Sequence, residues 1–178
     1  MKDIFLLVDG NSLLHRAYHA LPLMDADGVY TNAIYGFLSM LLKVIREEKV
    51  QYLAVCFDEH APTFRHAVYA EYKAGRKETP PELRQQFDTI RKLLDDLKIR
   101  IFSLQGWEAD DLLGTLSRLG ADAGVTPLLL TGDRDALQLH LFLLIKSKVL
   151  EHFQYINLKS FLYLELILQN LEVKQNPN

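Results

Sequence analysis

The sequence contains one cysteine in 178 residues, so no disulfide can form within the chain. Cys56 lies in the apolar run Leu53-Ala54-Val55-Cys56-Phe57, the setting of a buried structural thiol rather than a nucleophile. Long apolar runs are also missing. The run Ile4 to Val8 is too short for a signal segment and passes directly into Asp9-Gly10, so a cytoplasmic location without a membrane span is expected. There is no basic excess: 20 Lys and Arg stand against 23 Asp and Glu, for a formal charge of −3. Net charge therefore neither identifies nor excludes a nucleic-acid binder. What is present, 49% hydrophobic and 24% charged residues, is the composition of an ordinary globular domain of this length.

Apolar strand-like runs at 4–8, 52–57, 99–104 and 127–130 alternate with segments at 12–20, 33–48, 81–97 and 108–119. In those segments apolar residues recur every three or four positions, as in Ile34, Phe37, Leu38, Leu41, Leu42 and Ile45. Strands that are apolar throughout and separated by helices predict an α/β fold with a central parallel sheet flanked by helices. Pro80-Pro81 opens one helix, and Gly120 and Gly124 punctuate the end of another.

The acidic residues are informative by position. Asp9 closes the first strand, Asp58 the second, and Asp133 and Asp135 follow the fourth, while Glu108, Asp110 and Asp111 open the helix after the third. In an open parallel sheet the strand C-termini share one edge, so four segments would deliver carboxylates to one place. Crowded carboxylates repel unless a counter-charge is supplied. Hard oxygen donors, with no His or Cys at ligand spacing, favour Mg²⁺ or Mn²⁺. Two such ions about 4 Å apart suit phosphodiester hydrolysis. Each element also has a plain explanation: turn residues at Asp9-Gly10 and Asp58-Glu59, a helix-dipole complement at Glu108 to Asp111, and an N-cap at Thr131 to Asp135. It is their coincidence at strand ends that favours a shared metal site. Between Asp58 and the helix at 81, Arg65, Lys73, Arg76 and Lys77 interleave with Phe64, Tyr69 and Tyr72. That mixture suits phosphate neutralisation and base stacking, and its plain alternative is a solvated basic surface.

Six segments together resemble the 5′-nuclease domain of bacterial DNA polymerase I, a flap-endonuclease relative. They are Val8-Asp9-Gly10-Asn11-Ser12-Leu13 with Arg16, Thr31-Asn32-Ala33 with Gly36-Phe37, Phe57-Asp58 with Phe64-Arg65, Tyr72-Lys73-Ala74-Gly75-Arg76, Gly106-Trp107-Glu108-Ala109-Asp110-Asp111, and Thr131-Gly132-Asp133-Arg134-Asp135. The resemblance covers about residues 3–139. It implies a PIN-like fold with a helical arch segment and removal of 5′ flaps and RNA primers from branched DNA with two divalent ions. It further implies metal ligation by Asp9, Asp58, Glu108 and Asp110 at a first site, with Asp111, Asp133 and Asp135 supplying or bordering a second. Lys73 and Arg76 would join the catalytic group, and Arg16, Asn32, Arg65, Tyr72, Lys73, Arg76 and Lys77 would contact DNA. Gly36 and Phe37 read as packing residues.

The resemblance stops after Leu139. From His140 to Asn178 the chain has no Asp, Gly, Ala, Arg or Thr. The helix-hairpin-helix half that the family carries next is missing, along with the further aspartates of the second metal site. The expected organisation is a nuclease N-terminal domain at 1–139 and a divergent tail at 140–178, a break expected of a shifted or prematurely ended reading frame. Within the tail, Leu141 to Ile145 could replace a strand and Phe161 to Leu171 could form one helix or strand. Three functions are open at this level: a structure-specific nuclease, an impaired remnant that binds metal or DNA without efficient cleavage, and an acidic-site phosphatase using Asp9-Gly10-Asn11 as a nucleophile loop.

Overall fold

The computed structural model describes residues 3–59, 61–63, 65 and 78–132. The expectations for residues 133–178, including both tail segments, lie outside this range. Four parallel strands form the sheet: β1 (Ile4–Asp9), β4 (Tyr52–Cys56), β5 (Arg100–Phe102) and β6 (Thr126–Leu130), in the order β5-β4-β1-β6. A two-stranded hairpin, β2 (Asp25–Ala26) and β3 (Val29–Tyr30), joins helix α1 (Gly10–Ala20) to α2 (Asn32–Glu48). Helix α3 (Pro81–Asp96) precedes β5 and α4 (Ala109–Asp122) precedes β6.

Strand alternation divides the core. Leu6, Val8, Val55 and Phe57 face the helices α1 to α3, where they meet Leu13, Leu14, Phe37, Leu41, Leu83, Ile90 and Leu94. Phe5, Leu7, Ala54 and Cys56 face α4 through Ala109, Leu112, Leu113 and Leu116. Both sheet faces are thus covered, which is why the strands read as unbroken apolar runs. By the same period of two, Asp9 stands on the α4 side, beside Cys56 in register. The chain builds outward from β1 to β4 and β5, then returns through α4 to place β6 on the other side of β1. Ligand crevices of open α/β sheets form at such a reversal, outside the strand C-termini.

Two close approaches fix the helices around that crevice. A Cβ on Gly10 would stand 2.4 Å from the Phe57 ring, so only glycine lets α1 begin directly against the end of β4. A Cβ on Gly36 would meet Ala17 at 2.8 Å, and Phe37 is fully buried, so this pair does serve helix packing as expected. Helix α2 has no side-chain cap of its own from Thr31. Instead Gln86 of α3 accepts from the Ala33 and Ile34 amides at 2.8 and 3.2 Å, satisfying donors at the start of α2 from a neighbouring helix.

The same network holds Asn32, which the resemblance assigned to DNA contact: it is fully buried, its Oδ1 accepting from Gln86 Nε2 at 3.0 Å and its Nδ2 donating to the Tyr18 carbonyl at 3.3 Å. A buried amide at the junction of three helices must have its donors and acceptors met internally, which explains the Asn without a ligand. Among the described residues no helix is long and apolar enough to cross a membrane.

Candidate metal-dependent nuclease site

The C-terminal edge of the sheet collects the carboxylates. Asp9 ends β1 and caps α1: its Oδ1 accepts from the Ser12 amide at 2.9 Å and its Oδ2 from the Thr131 hydroxyl at 3.0 Å. Only 4% of the residue is exposed. Burial pushes its carboxyl up to about 6, against the lowering effect of those two hydrogen bonds, and the charges of Asp110 and Asp58 raise it further. Those two charges show that three chain segments bring acids within electrostatic reach of one another.

Asp58 is held on three sides. Its amide donates to Asn11 Oδ1 at 2.9 Å, its carbonyl accepts from Arg91 at 2.8 Å, and its Oδ1 accepts from the Ala109 amide at 2.7 Å, at the N-terminus of α4. Arg91 also lies over the Phe57 ring, 4.5 Å from its centroid, and 3.9 Å from Glu59. Glu108 is the N-cap of α4, and Asp110 and Asp111 occupy its first turn, where the helix dipole favours negative charge. Arg65 forks onto Asp111 with two bonds of 2.7 Å and stands 3.6 Å from Glu108. On the other side of β1, Gly132 donates its amide to Ser12 Oγ at 3.0 Å, and a Cβ there would meet the stem of exposed Arg16 at 3.1 Å. Arg16 therefore borders the same crevice.

Asp9, Asp58, Glu108, Asp110 and Asp111 share one edge, and Arg16 and Arg65 flank it. Tyr72, Lys73, Arg76, Lys77, Asp133 and Asp135 lie outside the described residues. Among the described residues no three His, Cys, Asp or Glu side chains converge as one ion cage. Protein donors hold them instead: amides and a hydroxyl on Asp9 and Asp58, and a guanidinium on Asp111. The donor chemistry nonetheless fits a hard divalent cation, since these groups are all carboxylates. The nearby sulfur does not compete, because burial and the charges of Asp9 and Asp110 push the Cys56 thiol up and keep it protonated. The positioning roles of Asn11, Ser12, Thr131 and Arg91 escaped the sequence. The first three lie within motifs whose acids carry the stronger signal, and Arg91 is one charge on an amphipathic helix with no local signal.

The model of the 5′-3′ exonuclease N-terminal resolvase-like domain matches residues 4–160. The chain belongs to that family. The matched span passes Leu139 by some way, while alignments to curated relatives are shorter. DNA polymerase I of Bacillus subtilis (strain 168) is 48% identical over 134 residues, covering 75% of this chain and 15% of the relative. DNA polymerase I of Bacillus caldotenax is 45% identical over 140 residues, covering 78% and 16%. The chain thus spans less than one-fifth of the length of these relatives. Bacteriophage T5 5′-exonuclease, solved with bound divalent zinc ions, aligns at a TM-score of 0.56 and 21% identity, covering 76% of this chain and 51% of that one. A bacteriophage T5 flap endonuclease solved as a pseudo-enzyme–product complex with DNA and metal ions aligns at 0.54 and 20% identity, covering 74% and 49%. These likenesses establish the PIN-like α/β fold that the sequence predicted.

Proposed function

We propose that this chain is a divalent-metal-dependent 5′ nuclease domain that hydrolyses DNA at single-stranded 5′ ends and flaps, RNA primers included, in the cytoplasm. The observation that carries the proposal is the burial of Asp9 beside the charges of Asp58 and Asp110, three carboxylates delivered by separate segments to the switch point of the sheet. Buried like charges are stable together when a cation joins them. Further support comes from family membership and from the metal ions and DNA in the T5 proteins that share the fold.

Asp9, Asp58, Glu108 and Asp110 would hold Mg²⁺ or Mn²⁺ at a first site, and Asp133 and Asp135 would serve a second. Asp111, whose carboxylate is taken by Arg65, is left out of this set. Bound ions of this kind polarise a phosphodiester and make water nucleophilic at neutral pH. The chain's own residues bind and orient the substrate. Arg16 and Arg65 meet backbone phosphates from either side of the crevice. Lys73 and Arg76 neutralise charge at the scissile phosphate, Lys77 extends the basic track and Tyr72 stacks an unpaired base. Every residue given a role in this proposal lies within 1–139, the proposed nuclease domain; 140–178 is the proposed tail, of which 140–160 still falls in the span that the family model matches. No observation favours a remnant that binds without cutting.

The test is cleavage of a 5′-labelled flap DNA by the purified chain with Mn²⁺ or Mg²⁺. Metal-dependent product should form and should fall on the order of a thousandfold in Asp9→Ala, several kcal/mol of transition-state stabilisation. A folded wild-type chain that yields no product, or product equal to that of Asp9→Ala, refutes the proposal.

A further inference from the structure

We propose that Asp111 is a positioning residue for Arg65 rather than a metal ligand, and that it fixes the Arg65 guanidinium at the acidic edge as a phosphate contact for incoming DNA. The inference rests on the nuclease reading above and sharpens it. Asp111 and Arg65 form a parallel two-bond pair, Nη1 to Oδ2 and Nη2 to Oδ1, both 2.7 Å. This is the strongest and most directional arrangement open to these side chains. Oδ2 also accepts from the Glu108 amide at 3.1 Å, so the carboxylate is oriented by the helix N-terminus as well as by the arginine. A metal-ligand role for Asp111 would require release of this fork in a partly buried place, where its side chain is 19% and that of Arg65 30% exposed. Asp58 and Asp110 lie within electrostatic reach of Asp9 at the strand ends, whereas Asp111 is paired with Arg65.

The electrostatic need is specific. A DNA phosphate approaching Asp9, Asp58, Glu108, Asp110 and Asp111 meets a field of its own sign. A guanidinium 3.6 Å from Glu108 and bonded to Asp111 offsets that field before any phosphate arrives. An arginine has five donors in a fixed fork, so a pair made by two of its nitrogens aims the whole plane. The Arg65 side chain keeps enough exposure to be reached from solvent.

The experiment compares wild type, Arg65→Gln, Asp111→Asn, the double variant, and Asp110→Asn. Three quantities are measured: Mn²⁺ affinity by calorimetry, flap-DNA affinity in the absence of divalent metal, and thermal unfolding. The proposal expects Asp111→Asn to leave Mn²⁺ affinity within about twofold of wild type, while Asp110→Asn weakens it at least about tenfold. Flap affinity should fall about five- to tenfold in Arg65→Gln and by a similar factor in Asp111→Asn, with no further loss in the double variant. In turnover this loss should sit in KM, with kcat nearly unchanged. Equal loss of Mn²⁺ affinity in Asp111→Asn and Asp110→Asn would overturn the proposal by making Asp111 a ligand. So would additive losses in flap affinity, or a loss confined to Arg65→Gln. Should wild type neither bind nor cut the flap, the nuclease reading itself fails. The Mn²⁺ comparison and the coupling in thermal unfolding would still decide the role of Asp111.

Discussion

Two buried polar clusters sit in this fold and are built on opposite principles. At the junction of α1, α2 and α3, Gln86 and Asn32 exchange neutral hydrogen bonds with each other and with backbone groups, so the cluster is complete within the protein. At the end of β1, Asp9 is buried to a similar degree but lies within electrostatic reach of the like charges of Asp58 and Asp110, and burial raises its carboxyl to about 6. The first cluster stabilises the fold; the second costs stability at neutral pH unless a cation joins it. Groups of like charge held together against that cost mark a site built for something other than folding.

The contrast can be broken or sharpened by substitution. The largest effect belongs to the packing that brings the edge together. Gly10→Val forces a side chain into the Phe57 ring, and chemical denaturation should show a loss of about 3 kcal/mol or more. Next comes Asp9→Asn, which removes the charge, keeps an acceptor for the Ser12 amide and reverses the Thr131 bond so that the new amide donates to the hydroxyl. Because the folded carboxyl is raised from 3.8 to about 6, its favourable contribution is complete below pH 4 and lost as pH rises through 6. Metal-free Asp9→Asn should therefore be more stable than wild type by roughly 2–3 kcal/mol at pH 7, the gap closing below pH 4 in a denaturation series. Gln86→Leu acts in the opposite direction, leaving the Ala33 and Ile34 amides unmet. It should cost about 2 kcal/mol at every pH, with no change in metal affinity. Arg91→Met retains bulk over Phe57 but loses the bond to the Asp58 carbonyl. A loss of about 1 kcal/mol in unfolding is expected, with a larger proportional fall in cleavage rate than in stability.

Much of this was legible in sequence, for physical reasons. Unbroken apolar runs and period-3.6 patterns located the sheet strands and helices among the described residues, and the position of each acid after an apolar run placed it at the strand ends. Boundaries moved where side chains redefined them. Helix α1 begins at Gly10, not residue 12, because Asp9 is its cap rather than a turn residue. The hairpin β2–β3 went unread although Asp27-Gly28, both at positive φ, is a tight-turn signal, because two-residue strands leave no alternation to detect. The burial of Asn32 was not legible, since nothing local distinguishes a polar residue that meets a distant Gln86 from one that meets a ligand. The pairing of Arg65 with Asp111, 46 residues apart, was hidden for the same reason.

The central claim, that the acidic edge is a divalent-cation site, is tested most directly by thermal unfolding of wild type and Asp9→Asn at pH 7, with and without millimolar Mn²⁺. Without metal, Asp9→Asn should melt higher; with Mn²⁺, wild type should gain several degrees and close the gap, since a ligand at a hundred times its Kd adds about 2.7 kcal/mol. If wild type gains nothing from Mn²⁺, or both proteins gain equally, the buried carboxylates are not held together for a metal ion and the account is wrong.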